Sequence, residues 1–118
     1  MYIQGFVVPV PADKKAAYQR IAEQFWDVAK DYGALSQVEA WESDVKDGTL
    51  TDFRRAVNLA AGEKVVFAWM TFPDRATADA SHEKMMADPR MAAFGEMPFD
   101  GKRMIFGGFE PLLVREKK

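Results

Sequence analysis

Two rhythms of apolar residues alternate along this chain. Dense aromatic and β-branched spacing marks Tyr2 to Val10, Leu35 to Glu42, Val65 to Phe72 and Met104 to Phe109, as strands require. Between them, Tyr18, Ile21, Phe25, Val28 and Tyr32 recur at steps of three and four. That spacing predicts a helix over Asp13 to Tyr32, stopped by Gly33. A second helix is expected to open at Pro73-Asp74, with Asp74 as its cap, and to end or kink at Asp88, because the residue before Pro89 is pushed out of the helical region. Arg90 to Phe94 fits one further turn. The order is βαββαβ, an α+β ferredoxin-like sandwich with two helices on one face of a four-stranded antiparallel sheet.

A sheet covered on one side should alternate apolar and polar residues. Phe6-Val7-Val8, Val65 to Met70 and Met104-Ile105-Phe106 instead are apolar at consecutive positions, hence on both faces. Two helices cover one face only, so the other is expected to meet a second copy, giving a homodimer joined sheet to sheet. Leu35 to Glu42, with Ser36, Gln37, Glu39 and Glu42, suits an edge strand with one wet face. Gly107 and Gly108 inside the last strand mark a close approach of a ligand or another backbone, favouring a site or a subunit contact there.

The chain has 118 residues, enough for a single domain over 1–118 with its own core. Without cysteine, disulfides, thiolate metal sites and cysteine nucleophiles are excluded, and His82 is the only histidine. A metal site within one chain is therefore not expected, and no cofactor is called for. Sixteen basic residues against eighteen acidic ones, without a concentrated basic face, argue against nucleic acid. No apolar run approaches ~20 residues and no basic leader precedes the first strand, so the expectation is a cytoplasmic protein with no membrane partner.

Gly5-Phe6-Val7-Val8, Pro11-Ala12-Asp13-Lys14-Lys15, Asp52-Phe53-Arg54-Arg55-Ala56-Val57, Glu83-Lys84-Met85-Met86, Asp88-Pro89-Arg90-Met91 and the run from Pro98 to Glu110 together resemble the YbaA-like family of small bacterial proteins. That resemblance implies the dimeric α/β-barrel superfamily, which includes cofactor-independent monooxygenases, haem-degrading enzymes, lactone isomerases and ligand-sensing domains. It implies no particular reaction. His82 departs from the family pattern, which weakens the case for family chemistry there.

Barrels of this kind hold a ligand between the sheet and its own helices. Seven methionines and three tryptophans supply either a soft core or an apolar pocket for a flat aromatic molecule. Strand parity puts Glu39 beside Trp41, where burial would raise its pKa and fit it as a general base, unless water reaches it on the edge strand. The twenty-two positions from Ser43 to Lys64 exceed a hairpin turn and fit a lid containing a short capped helix around Phe53 and Val57. Arg54 or Arg55 there would clamp a carboxylate or enolate; the alternative is a salt bridge to Asp44, Asp47 or Asp52. His82, in the stripe Ala78, His82, Met85, is a candidate proton carrier or axial haem ligand, or else a packed or surface residue. Glu39, Arg54, Arg55 and His82 are thus the candidate catalytic residues, and Trp41, Phe53, Trp69, Met85, Asp88 and Arg90 the candidate ligand-binding ones. Lys102 and Arg103 are candidates to meet acids of a second subunit. The expected function is small-molecule binding, with cofactor-independent oxygenase or isomerase chemistry on an aromatic or enolisable compound. A non-enzymatic interaction module using the apolar tail Pro111-Leu112-Leu113-Val114 is the alternative.

Overall fold

In the computed structural model, which describes residues 1–117, the four apolar blocks pair into one antiparallel sheet. β1 (Tyr2–Pro11), β2 (Ser36–Trp41), β3 (Glu63–Phe72) and β4 (Ile105–Phe109) take the spatial order β2-β3-β1-β4. The central pair runs in continuous register from Tyr2↔Phe72 to Pro11↔Glu63. β3 starts two residues before the expected Val65 because Glu63 and Lys64, polar and silent in the pattern, still complete the ladder with Pro11 and Val10.

Helix α1 (Lys15–Ala29) is flanked by 3-10 turns at Ala12–Lys14 and Lys30–Tyr32, which together fill the span read as one helix. Gly33 ends it with a positive φ of 108°, a conformation open to glycine. A Cβ at Gly33 would also press on the Thr77 methyl. Gly33→Ala is therefore expected to lower unfolding free energy by about 2–3 kcal/mol through backbone strain and overlap together, measured by urea denaturation. Asp74 caps α3 (Arg75–Ala87) by accepting from the Thr77 amide at 2.7 Å, and Asp88 caps the short α4 (Pro89–Ala92) in the same way through Arg90.

The face of β3 beneath α1 and α3 carries Val66, Ala68, Met70 and Phe72, all at most 3% exposed. These residues, with Val28, Ala29 and Ala78 from the helices, form the core. The opposite face carries Phe67 at 46% exposure, Ile105 at 45% and Phe109 at 60%. Part of it is covered by the segment between β2 and β3, whose helix α2 (Phe53–Ala56) rests Phe53 edge-on against Phe67, ring centres 5.9 Å apart. The consecutive apolar residues thus do point to both sides of the sheet.

Both glycines of β4 admit aromatic rings. Gly107 pairs with Gly5 across the ladder, and the Phe109 ring lies over both on the open face. On the helix side the Tyr2 ring occupies the space that a Gly108 side chain would need. What approaches these glycines within the chain is an aromatic ring on each side.

Candidate functional site

The helix-bearing face of the sheet holds two clefts, one under each sheet edge. The first, about 940 Å³, opens between α1 and β2. Parity brings Gln37, Glu39 and Trp41 to this face, opposite Met70, Ala68 and Val66, and α1 supplies Tyr18, Trp26 and Lys15. The Tyr18 hydroxyl donates to Glu39 Oε1 at 2.5 Å, and Gln37 Nε2 donates to Glu39 Oε2 and the Ala22 carbonyl, both at 3.2 Å. Glu39 as a residue is exposed, but the cleft shelters its carboxylate. Partial burial raises its pKa, while the Tyr18 and Gln37 hydrogen bonds pull the other way. Tyr18 is shifted up as well, first by burial and then by the Glu39 charge, so it stays a protonated donor.

The second cleft, about 760 Å³, lies between α3 and the β1–β4 edge. Its lining is dominated by Met70, Met85, Met86, Met91 and Met104 with Tyr2, Phe25, Phe72 and Phe106. Thioethers and rings give an apolar, deformable surface. The polar groups are few: Gln4 on β1, and Ser81 and His82 on α3, with Asp79 and Glu83 at the same helix. Ser81 is 1% exposed and its hydroxyl has no partner among the described residues, whereas His82 is exposed at the rim. The buried stripe of α3 is accordingly Ala78, Ser81, Met85, with His82 on its flank rather than its centre.

The candidate residues are divided among these places. Glu39 and Trp41 line the first cleft, and His82 and Met85 the second. Trp69 and Phe53 lie with the open face, where Phe67 bridges them. Arg54 reaches Glu42 at 3.1 Å and Asp47 at 3.3 Å, and Arg55 clamps the Gly48 and Thr49 carbonyls and Asp52. The salt-bridge alternative describes both arginines, and neither lines a cleft. The segment expected as a lid likewise covers the open face instead. Arg103 closes on Glu63 at 2.6 Å and on Asp100 at 3.0 Å within its own chain, using the acids expected of a partner.

Asp88 and Arg90 join a staple that ties the α3–α4 corner to the end of α1. Arg90 pairs with Asp88 and Asp31, each at 2.9 Å, and Asp88 accepts from the Tyr32 hydroxyl at 2.7 Å. Hydrogen bonds from Arg90, then from Tyr32, hold the Asp88 carboxyl well below the usual range. A depressed acid stabilises the fold fully above that range, begins to lose its contribution as pH falls into it, and loses the rest only as pH falls through the lower folded value. Asp88→Asn should therefore lower the melting temperature at pH 7, and the gap to wild type should narrow towards pH 3.

Tyr18, Gln37 and Ser81 were not singled out by sequence. Tyr18 carried only a helical-stripe signal, and nothing local announced its pairing with Glu39 across twenty-one positions.

Known proteins agree with this architecture. Residues 1–101 match the family described as a protein of unknown function, DUF1428. Uncharacterized protein YbaA of Escherichia coli K12 is 56% identical over 113 residues, 95% of this chain and 97% of its own length, and the protein of that name from Shigella flexneri matches equally. Among solved structures, an uncharacterized NIPSNAP domain protein from Burkholderia xenovorans aligns with a TM-score of 0.58 at 17% identity, over 99% of this chain and all of that one. A MhuD mutant carrying two manganese protoporphyrin IX per active site aligns at 0.59 and 14% identity, over 99% and 100% of the two chains. No helix among the described residues is long and apolar enough to cross a membrane. With its match to the DUF1428 family over residues 1–101 and its near-complete match to YbaA, the chain belongs to the YbaA family of proteins of unknown function.

Proposed function

We propose that this protein binds a flat aromatic or enolisable small molecule in the methionine-lined cleft between α3 and the β1–β4 edge, and that it does so as a homodimer joined through the open sheet faces. The observation that carries the reading is the composition of that cleft: five thioethers and five aromatic rings around about 760 Å³, with Gln4, Ser81 and His82 as the orienting polar groups. Such a lining desolvates a phenol or ketone and holds it by shape, while one or two hydrogen bonds fix its direction. His82 at the rim is the group placed to accept a proton from the bound compound, the first step of oxygenase or isomerase chemistry without a cofactor. The MhuD mutant, whose fold this chain shares, holds flat macrocycles, which is consistent with a sheet-and-helix cleft of this kind taking planar ligands.

Native mass spectrometry of freshly purified protein, set against its denatured mass, tests this directly. A dimer that retains, or takes up on addition, a planar aromatic compound supports the reading. A monomer that takes up none of a panel of phenols, quinols and β-diketones contradicts it. If the protein instead serves interactions through its tail, where Leu112 and Leu113 are exposed, deleting residues 111–118 will alter assembly or partner capture and cleft substitutions will not.

A further inference from the structure

The cleft beneath α1 has a chemistry of its own. Its two indoles, Trp26 and Trp41, are accompanied by three carboxylates, Glu23, Asp27 and Glu39, and by one cation, Lys15. Asp27 is paired with Lys30 at 3.4 Å. Glu23 accepts only from neutral Gln19, and Glu39 only from neutral Tyr18 and Gln37. Among the described residues neither has a cationic partner. The Gln37 amide oxygen, buried beside them, has no donor among the described residues either. Acceptors are therefore in surplus around a sheltered negative charge, and what is missing is a cationic donor.

The aromatic wall points the same way. Lys15 Nζ sits 5.2 Å from the centre of the Trp41 ring, so the chain already places an ammonium against that indole. β3 contributes only Val66 to the lining, which leaves apolar floor for the body of a ligand. We infer that this cleft is a binding site for an organic cation, a primary or substituted ammonium attached to an aromatic or alkyl body. The ammonium pairs with Glu39 and the body lies between the Trp26 and Trp41 side chains. The site is separate from the methionine-lined cleft and does not rest on its proposed role.

The test uses 2-phenylethylamine, an ammonium at neutral pH, against the neutral isostere 2-phenylethanol. Binding to the full chain is followed by calorimetry and by indole N–H shifts in NMR. The amine should saturate in the millimolar range or tighter and shift the Trp26 and Trp41 indoles but not Trp69. The alcohol should bind about ten-fold more weakly or less, since a hydrogen bond to a charged group is lost. Glu39→Gln keeps size and shape and should weaken the amine about ten-fold while leaving the alcohol unchanged. Lys15→Met, which removes the resident cation and keeps the apolar stem, should tighten the amine several-fold by freeing the Trp41 ring. Equal affinity for amine and alcohol, amine binding indifferent to Glu39→Gln, or shifts confined to Trp69 would overturn the assignment.

Discussion

Val38→Asp combined with Ile105→Asp is expected to yield a monomer at micromolar concentration in sedimentation velocity, where the wild-type chain, as the proposed homodimer, is expected to sediment at twice its chain mass. The two residues stand on the two edge strands and point to the open face, opposite Trp69 on β3 and Val7 on β1. At 38% and 45% exposure they contribute little to the folded single chain, so aspartate there is solvated in the monomer. In a sheet-to-sheet dimer each aspartate must be stripped of water against strand surfaces that offer no cation. The strand residues on that face from Ile3 to Pro9, Ser36 to Ala40 and Val65 to Thr71 carry no charge. An unpaired buried carboxylate costs several kcal/mol, and C2 symmetry places four of them in one interface. Even about 4 kcal/mol in total weakens association roughly 1,000-fold. Unchanged circular dichroism of the double variant separates lost association from lost folding.

Gly108→Leu should abolish binding of a planar probe such as 2-naphthol, lowering affinity by more than ten-fold, while Gly107→Ala leaves it unaltered. The contrast follows from strand parity. A side chain at 108 points to the helix side, meets the Tyr2 ring and drives one or the other into the methionine-lined cleft. A methyl at 107 points to the open face and meets Phe109 carbons at 3.6 and 3.7 Å, ordinary packing distances. Forcing extra methylenes into occupied space costs about 1–3 kcal/mol, so Gly108→Leu is also expected to lower the melting temperature somewhat. Equal loss of binding in both variants would mean that the cleft is not what the probe occupies.

The elements of the fold were readable because their signals are local. Apolar spacing, the Asp74 and Asp88 caps, Gly33 and Pro89 each act over three or four residues. Boundaries drifted where polar residues such as Glu63 and Lys64 belong to a ladder only through their partners. Parity alone placed Glu39 with Trp41. The depth of a helical residue was less legible: one step along α3 separates buried Ser81 from exposed His82, and the rotation of the helix over the sheet decides which faces inward. The length of the β2–β3 segment signalled order but not direction. Its folding onto the open face depends on Phe53 meeting Phe67 and on Arg54 and Arg55 binding acids and carbonyls of their own loop and strand. Tyr18 was invisible as a site residue because its partner lies on another element.

The most direct test of the proposed ligand cleft is a titration with 2-naphthol of protein carrying ¹³C-methyl methionine, read by two-dimensional NMR. Five of the seven methionines line the cleft and two, Met1 and Met97, do not. Ring currents from a bound naphthol should shift the methyls of Met70, Met85, Met86, Met91 and Met104 and leave those of Met1 and Met97 in place. Saturable shifts at Met1 or Met97 alone, or no saturable shift at any methyl, would contradict the account.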